Sequence, residues 1–429
     1  MTGIAAKYPR TQHNANYRKP RTFPDRGNDR HTATMTPAST ALKRSSECRI
    51  SDCRLCGKPF FPGELLRYAA MPAMAQHLLA QPGDDSVELR LRQCSGCGLA
   101  QLDGPPVPYY REVIRAAAFS AEMGEFRRKQ FREWLKRHGL SGRKVLECGC
   151  GAGEYLRLMA EAGADARGVE FGEANVEKCL AAGLRVEKTY FEDGGERLSG
   201  APFDGFFILN YLEHLPNLGD YLRGIASNLA DGAAGLVEVP NFDMMLKNRT
   251  FAEITSDHLY YFTEQTLRTA MEIGGFEAVA SRAVYHGYMI SMEVRKRSRL
   301  DLGSFEEARA ELSERLNDLV GRHGAGRCAV WGASHQAFAV LALAGLHGKL
   351  RCVIDSAPFK QGKLTPATHI PIVAPDAVAP GALSALVVMA GGYSDEVAGL
   401  ARRRFGPGVE LFVLRENGLR AWDEKGTPP

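Results

Sequence analysis

The 429-residue chain contains no apolar run approaching the roughly 18 residues that a membrane-spanning helix requires. Its N-terminus also lacks the apolar stretch of a secretory signal, so a soluble cytoplasmic protein is expected, with no membrane partner. A strong charge of one sign is missing too. The formal balance is +4, but residues 1–47 hold nine Lys and Arg against three Asp and Glu, which leaves about −2 for the rest. That first segment is poor in large apolar residues and rich in Arg, Pro, Thr and Asn. It is expected to be a disordered basic tail, and Met35 is a candidate translation start. A basic tail suits an anionic partner. The Pro59 to Gln93 stretch, however, has no basic-aromatic stripe; it carries Met71-Pro-Ala-Met-Ala-Gln76 and the acidic pair Asp84-Asp85, so it reads as a lid and nucleic acid is not the expected partner.

Cysteine is present in two distinct uses. Cys148, Cys150, Cys179, Cys328 and Cys352 fall in apolar strand or helix patterns and read as small core residues. Cys53-x2-Cys56 and Cys94-x2-Cys97 are each followed at once by glycine, Gly57 and Gly98. This spacing folds two thiolate pairs around one tetrahedral Zn²⁺, and four protein ligands would leave it no open position, so a structural zinc is expected. A redox dithiol is the alternative, but the strand-to-helix setting of such a motif is absent. Cys48 is left over as a spare thiol.

The most informative segment is Lys144 to Gly172, KVLECGCGAGEYLRLMAEAGADARGVEFG: an apolar strand, a glycine-rich turn, a helix and a second strand ending in an acid. Gly149, Gly151 and Gly153 let the backbone turn sharply and approach a ligand, and Glu170 stands where a ribose-binding acid belongs. The turn reads Glu147-Cys-Gly-Cys-Gly-Ala-Gly and resembles motif I of the class I S-adenosylmethionine (SAM) methyltransferases. That resemblance implies that Glu147 faces the methionine end of the cofactor and that Glu170 takes the ribose hydroxyls. The strand ending at Asn210, followed by Leu212-Glu213-His214-Leu215, fits the fourth strand and turn of the same family, and Asn210 is a further cofactor-binding candidate.

Beyond the cofactor strands, Glu238-Val-Pro-Asn-Phe242 ends a fifth strand, and Thr255-Ser-Asp-His-Leu-Tyr-Tyr-Phe-Thr263 follows on the same carboxyl edge. His258 there can take a proton at neutral pH, with Asp257 to hold its tautomer or stabilise its cation. A third unit begins near Gly326 with Cys328-Ala-Val-Trp-Gly-Ala333 and repeats a strand-helix-strand pattern. Its turn has the single Gly332, too few for a second dinucleotide. The helix from Phe305 to Val320 reads as a connector packed between domains.

The order of parts, and Lys360-Gln-Gly-Lys-Leu-Thr-Pro-Ala-Thr-His-Ile-Pro-Ile372 in particular, resembles the sugar C-methyltransferases that act on nucleotide-linked keto-deoxysugars. The resemblance runs from Cys53 to about Val413. It implies SAM and structural Zn²⁺ as cofactors, a nucleotide-sugar as substrate, and His258 as the base that forms an enolate, with Asp257 beside it and Tyr260 or Tyr261 supporting the oxygen. His286, Lys360 and Lys363 are candidate substrate contacts, the two lysines being placed to neutralise a pyrophosphate; a solvated basic loop is the alternative for them. Three features depart from the family: Asp257 stands where Glu is usual, Tyr109 to Ser120 lacks the usual Tyr- and Ser-rich run, and Tyr288-Met289 follows His286-Gly287. The expected fold is α/β: a tail over 1–47, a zinc-binding module over 48–108, a Rossmann-like SAM domain over 109–300 and a C-terminal Rossmann-like α/β domain that binds substrate over 301–429. Methylation of oxygen or nitrogen on another small metabolite is the alternative activity, and a zinc module that binds nucleic acid on a SAM-type scaffold is the alternative outside enzymes.

Overall fold

The computed structural model describes residues 49–74, 86–111, 120–416 and 418–423. The expected basic tail and Cys48 lie outside them. In the N-terminal module two cysteine turns face each other, closed by Gly57 N–H to the Cys53 carbonyl (2.9 Å) and Gly98 N–H to the Cys94 carbonyl (3.2 Å). Strands β1 (Leu66–Pro72), β2 (Ser86–Gln93) and β3 (Ala100–Leu102) follow, paired antiparallel in that order. The stretch expected as a lid is therefore a strand pair over its described part. The reason is its alternation: Leu89 and Leu91 turn into a small core with Phe242, Met245 and Ile254.

The central unit starts with helix α1 (Ala121–His138), capped by Ser120 and ended by Gly139. It continues through β4 (Lys144–Cys148), α2 (Glu154–Glu161), β5 (Asp165–Glu170), α3 (Glu173–Ala181), β6 (Val186–Lys188), β7 (Phe203–Leu209), α4 (Leu218–Ser227), β8 (Leu229–Pro240) and α5 (Phe242–Asn248). The short strand β9 (Tyr260–Tyr261), α6 (Glu264–Ile273), β10 (Phe276–Val284) and β11 (Met289–Lys296) complete it. Seven strands form one sheet in the order β10-β11-β8-β7-β4-β5-β6. β11 alone runs antiparallel to its neighbours. β4, β5, β7 and β8 run parallel, so their carboxyl ends share one edge, and the order reverses beside β4, which is where such sheets bind ligands. β9 leaves this sheet and pairs with β3, Ala100 opposite Tyr261 and Gln101 opposite Tyr260. The cysteine module and the central unit thus share a four-stranded sheet.

Arg127 of α1 is fully buried and its guanidinium pairs with the Glu238 carboxylate of β8, while Gln130 bonds both. Removing one partner of such a pair strands a charge. Arg127→Met is expected to cost about 3–5 kcal/mol, read in urea unfolding, with much of the loss restored in Arg127→Met/Glu238→Gln.

The C-terminal unit comprises α7 (Gly303–His323), β12 (Cys328–Trp331), α8 (His335–Leu343), β13 (Cys352–Ile354), β14 (Ile372–Val373), β15 (Ala385–Val388), α9 (Ser394–Phe405), β16 (Glu410–Arg415) and β17 (Gly418–Ala421). Its sheet, β14-β13-β12-β15-β16-β17, is parallel except for the last strand. The expectation that α7 packs between domains is corrected: Leu316, Leu319 and Val320 bury into the core of this unit with Val330, Ala337 and Leu419. Their spacing makes one apolar face, which packs against α8 and β17 of the same unit.

Candidate active site

At the end of β4 the chain turns through Gly149, whose φ of +72° and close approach to Tyr211 exclude a side chain: a Cβ would stand 2.6 Å from the ring. The turn opens the crevice at the sheet edge. Glu147 and Glu170 are both buried there. The Glu170 carboxylate accepts from Gly151 N–H and Gly172 N–H, both at 2.9 Å, so it is fixed against the turn. Asn210, just past β7, holds a left-handed φ of +51° although it is not glycine. Its Oδ1 is buried without a hydrogen-bond partner among the described residues, a free acceptor facing no protein donor. A cradle shaped by glycine, two buried acids and an unused amide oxygen fits an adenosine-type cofactor with an amino group and ribose hydroxyls.

A second cluster lies where the turn after β7 meets the loop before β9. Leu259 N–H bonds the Glu213 carbonyl (2.7 Å), and His214 Nδ1 lies 2.8 Å from the Asp257 carbonyl. These two bonds hold the His214 and His258 rings edge to face, 4.8 Å between centroids. Burial, then the neighbouring His214, pulls His258 down to about 3, and burial lowers His214 as well. Both imidazoles are therefore neutral at working pH, which leaves a lone pair able to take a proton. The Asp257 carboxylate accepts from the Tyr109 hydroxyl at 3.0 and 2.9 Å. It is thus anchored to the segment before α1. The Tyr261 hydroxyl accepts from Thr255 N–H (2.9 Å) and donates to the Thr255 carbonyl (3.1 Å), so it staples the loop; its expected role at an enolate oxygen is corrected to that of a positioning group. Tyr260 is buried, its hydroxyl without a hydrogen-bond partner among the described residues.

The remaining candidates separate. His286 is exposed and meets Glu122 at the start of α1 (2.9 Å). Lys360 lines a C-terminal cavity of about 770 Å³, where its Nζ bonds Asp355 (3.0 Å) and the Ala333 carbonyl (2.9 Å). Lys363 is exposed outside that lining. Asp355 ends β13 and accepts from Ala333 N–H and Ala357 N–H, both at 2.8 Å, the same construction as Glu170 in the central unit. The four sulfurs of Cys53, Cys56, Cys94 and Cys97 gather at one point, with Sγ separations of 3.6 Å (Cys53 to Cys97) and 3.4 Å (Cys56 to Cys94). Thiolates about a tetrahedral ion at ~2.3 Å stand roughly 3.8 Å apart, so the set fits Zn²⁺ and forms no disulfide.

Residues 123–281 match the model of a methyltransferase domain, and residues 302–413 match the C-methyltransferase C-terminal domain. The chain is a SAM-dependent methyltransferase whose C-terminal unit matches the C-methyltransferase C-terminal domain. It is 28% identical over 400 residues to the C-methyltransferase NovU of Streptomyces niveus, covering 81% of this chain and 91% of that one. It is 31% identical over 134 residues to a ubiquinone biosynthesis O-methyltransferase of Stutzerimonas stutzeri, covering 29% of this enzyme and 56% of the relative. A solved magnesium protoporphyrin IX methyltransferase from Synechocystis with bound SAH is 17% identical, with a TM-score of 0.33 over 43% of this enzyme and 90% of that chain. The methyltransferase-domain match makes SAM the methyl donor of this enzyme. From the sequence, Tyr109 and the Glu213–His214 turn are named without a role at the site, and the β3–β9 pairing is not foreseen. Only Glu213-His214 left a local signal, two titratable residues in a turn at the sheet edge.

Proposed function

We propose that the enzyme methylates a carbon next to the carbonyl of a nucleotide-linked keto-deoxysugar or a related keto acceptor, with His258 as the base. The observation that carries this reading is a neutral, half-buried imidazole on a loop tied to the turn after β7. The match of residues 302–413 supports carbon as the target. SAM supplies an electrophilic methyl when bound. Glu147, Gly149, Gly151, Gly153, Glu170 and Asn210 hold and orient it, Glu170 at the ribose. Across the crevice, His258 takes the proton from the acceptor carbon, leaving an enolate, while Asp257, fixed by Tyr109, is the candidate to stabilise the developing imidazolium. Lys360 is the candidate for the acceptor's diphosphate in the C-terminal cavity; Lys363 and His286 are placed as outer contacts. The four cysteines hold a structural Zn²⁺ that fixes the module carrying β3.

Two experiments bear on this. Glu170→Ala removes the acid that holds both the turn and the ribose, and should weaken SAM binding by about 2–3 kcal/mol, roughly 30- to 150-fold in calorimetry; unchanged affinity would remove Glu170 from the cofactor site. Deuterium exchange at the carbon beside the carbonyl of thymidine diphosphate-4-keto-6-deoxyglucose, without SAM, separates carbon methylation from oxygen or nitrogen methylation. Exchange is expected only for the first.

A further inference from the structure

The Tyr261 hydroxyl is consumed by its loop, so the enolate in the proposed reaction needs another donor. Glu213 offers one. Its side chain is 2% exposed and its Oε2 has no hydrogen-bond partner among the described residues. Its Oε1 lies 3.9 Å from His214 Nε2. Because the Asp257 carbonyl can only accept, His214 Nδ1 carries the hydrogen and Nε2 presents a lone pair. A carboxyl oxygen and an imidazole lone pair therefore face each other as two acceptors. His258 completes the group, with ligating atoms of all three side chains within 4.8 Å of one another. A buried carboxylate that faces acceptors, with no cation beside it among the described residues, has only its own backbone N–H to set against the cost of burial. The carboxylic acid has no such cost, and its O–H is a donor.

We propose that Glu213 is a catalytic residue that stays protonated and donates its O–H to the carbonyl oxygen of the acceptor as the enolate forms. The inference rests on the reading of His258 as the base. In the step, the acceptor C–H bond breaks and its proton goes to the His258 ring nitrogen. The electron pair moves through the carbon to the carbonyl oxygen, which accepts the Glu213 hydrogen bond while that proton stays on Glu213. The carbonyl re-forms as the carbon takes the methyl, the donor's carbon–sulfur bond breaking with its electron pair kept on sulfur so that a neutral thioether leaves, and His258 returns its proton to solvent. Burial holds the Glu213 acid well above the ordinary carboxylate range, at about 8, which agrees with a donor at neutral pH. Two neutral side chains, one basic and one acidic, can thus share a small volume without an ion pair.

The first test needs no acceptor. The infrared difference spectrum between wild type and Glu213→Gln at pH 7 should contain a protonated carboxyl C=O band, and a carboxylate pair in its place overturns the proposal. The second uses thymidine diphosphate-4-keto-6-deoxyglucose as acceptor. Loss of one donor to a developing oxyanion costs roughly 100- to 1,000-fold in kcat, so Glu213→Ala should fall by that much with SAM affinity and the acceptor KM little changed. Glu213→Gln keeps a neutral donor and should recover to within about tenfold of wild type. Glu213→Gln as inactive as Glu213→Ala, together with a second metal ion per chain in the wild type, would make Glu213 a metal ligand and overturn the proposal. Full activity of Glu213→Ala would also overturn it. Failure of the underlying reading looks different: proton exchange that survives in His258→Ala, or none in the wild type, removes His258 as the base, whatever the infrared band shows.

Discussion

His258→Ala is expected to abolish methyl transfer while SAM binds as in the wild type. General bases contribute about 100- to 10,000-fold. His214 does not stand in for it, because its Nδ1 is tied to the Asp257 carbonyl and its Nε2 is turned to the Glu213 carboxyl, 3.9 Å away. Turnover should therefore drop by roughly three orders of magnitude, with calorimetric SAM affinity within about twofold, since the residues proposed to hold SAM lie at the carboxyl ends of β4, β5 and β7. Exchange at the acceptor carbon should disappear in parallel. The pH profile gives an independent check. Only the neutral imidazole can accept a proton, and burial has moved its titration from the usual 6.5 down to about 3. Falling pH should then leave the rate without a limb near 6.5. A limb at that value would mean a His258 in ordinary solvent-like surroundings, and undiminished turnover of His258→Ala would reject its role.

Cys94→Ser should be nearly as severe, by a different route. Four thiolates that gather as these do contribute folding energy only when the ion is bound, on the order of 10–16 kcal/mol in small zinc modules. Serine supplies no thiolate, so zinc should fall below one per chain and soluble yield should drop. The effect should also reach the active site. Gln101 of β3 donates to Cys53 Sγ (3.1 Å) and lies opposite Tyr260, two residues beyond His258. Leu102 N–H bonds the Leu259 carbonyl at 2.9 Å. Loss of the cysteine cluster should free this pairing, seen as faster hydrogen exchange at residues 100–102 and 259–261, and the protein that remains soluble should turn over slowly. Full zinc content with intact folding would sink the four-thiolate assignment.

The departures from the family pattern illustrate how far residue types reach without coordinates. Asp257 is one methylene shorter than the usual Glu, yet its carboxylate is caught by Tyr109, 148 positions away. Tyr109 belongs to the very stretch that looked depleted of pocket tyrosines. Tyr261 had the right chemistry for an enolate oxygen and the wrong geometry, since its hydroxyl closes on Thr255. The third unit was legible as a repeated strand-helix-strand pattern, but its closest likeness to the cofactor half, an acid that accepts two backbone N–H groups at the end of its second strand, emerged only from hydrogen bonds.

The sequence by itself determined the donor half of the enzyme and the cysteine cluster. The glycine turn, its two acids and the paired Cys-x2-Cys knuckles are set by spacing within short pieces of chain, where backbone geometry leaves few alternatives. The acceptor half was decided by tertiary structure. Whether Asp257 faces His258 or Tyr109, whether a tyrosine is a donor or a staple, and whether Glu213 keeps its proton all depend on which distant strands meet and what they exclude from water, and burial rather than residue type fixes those protonation states.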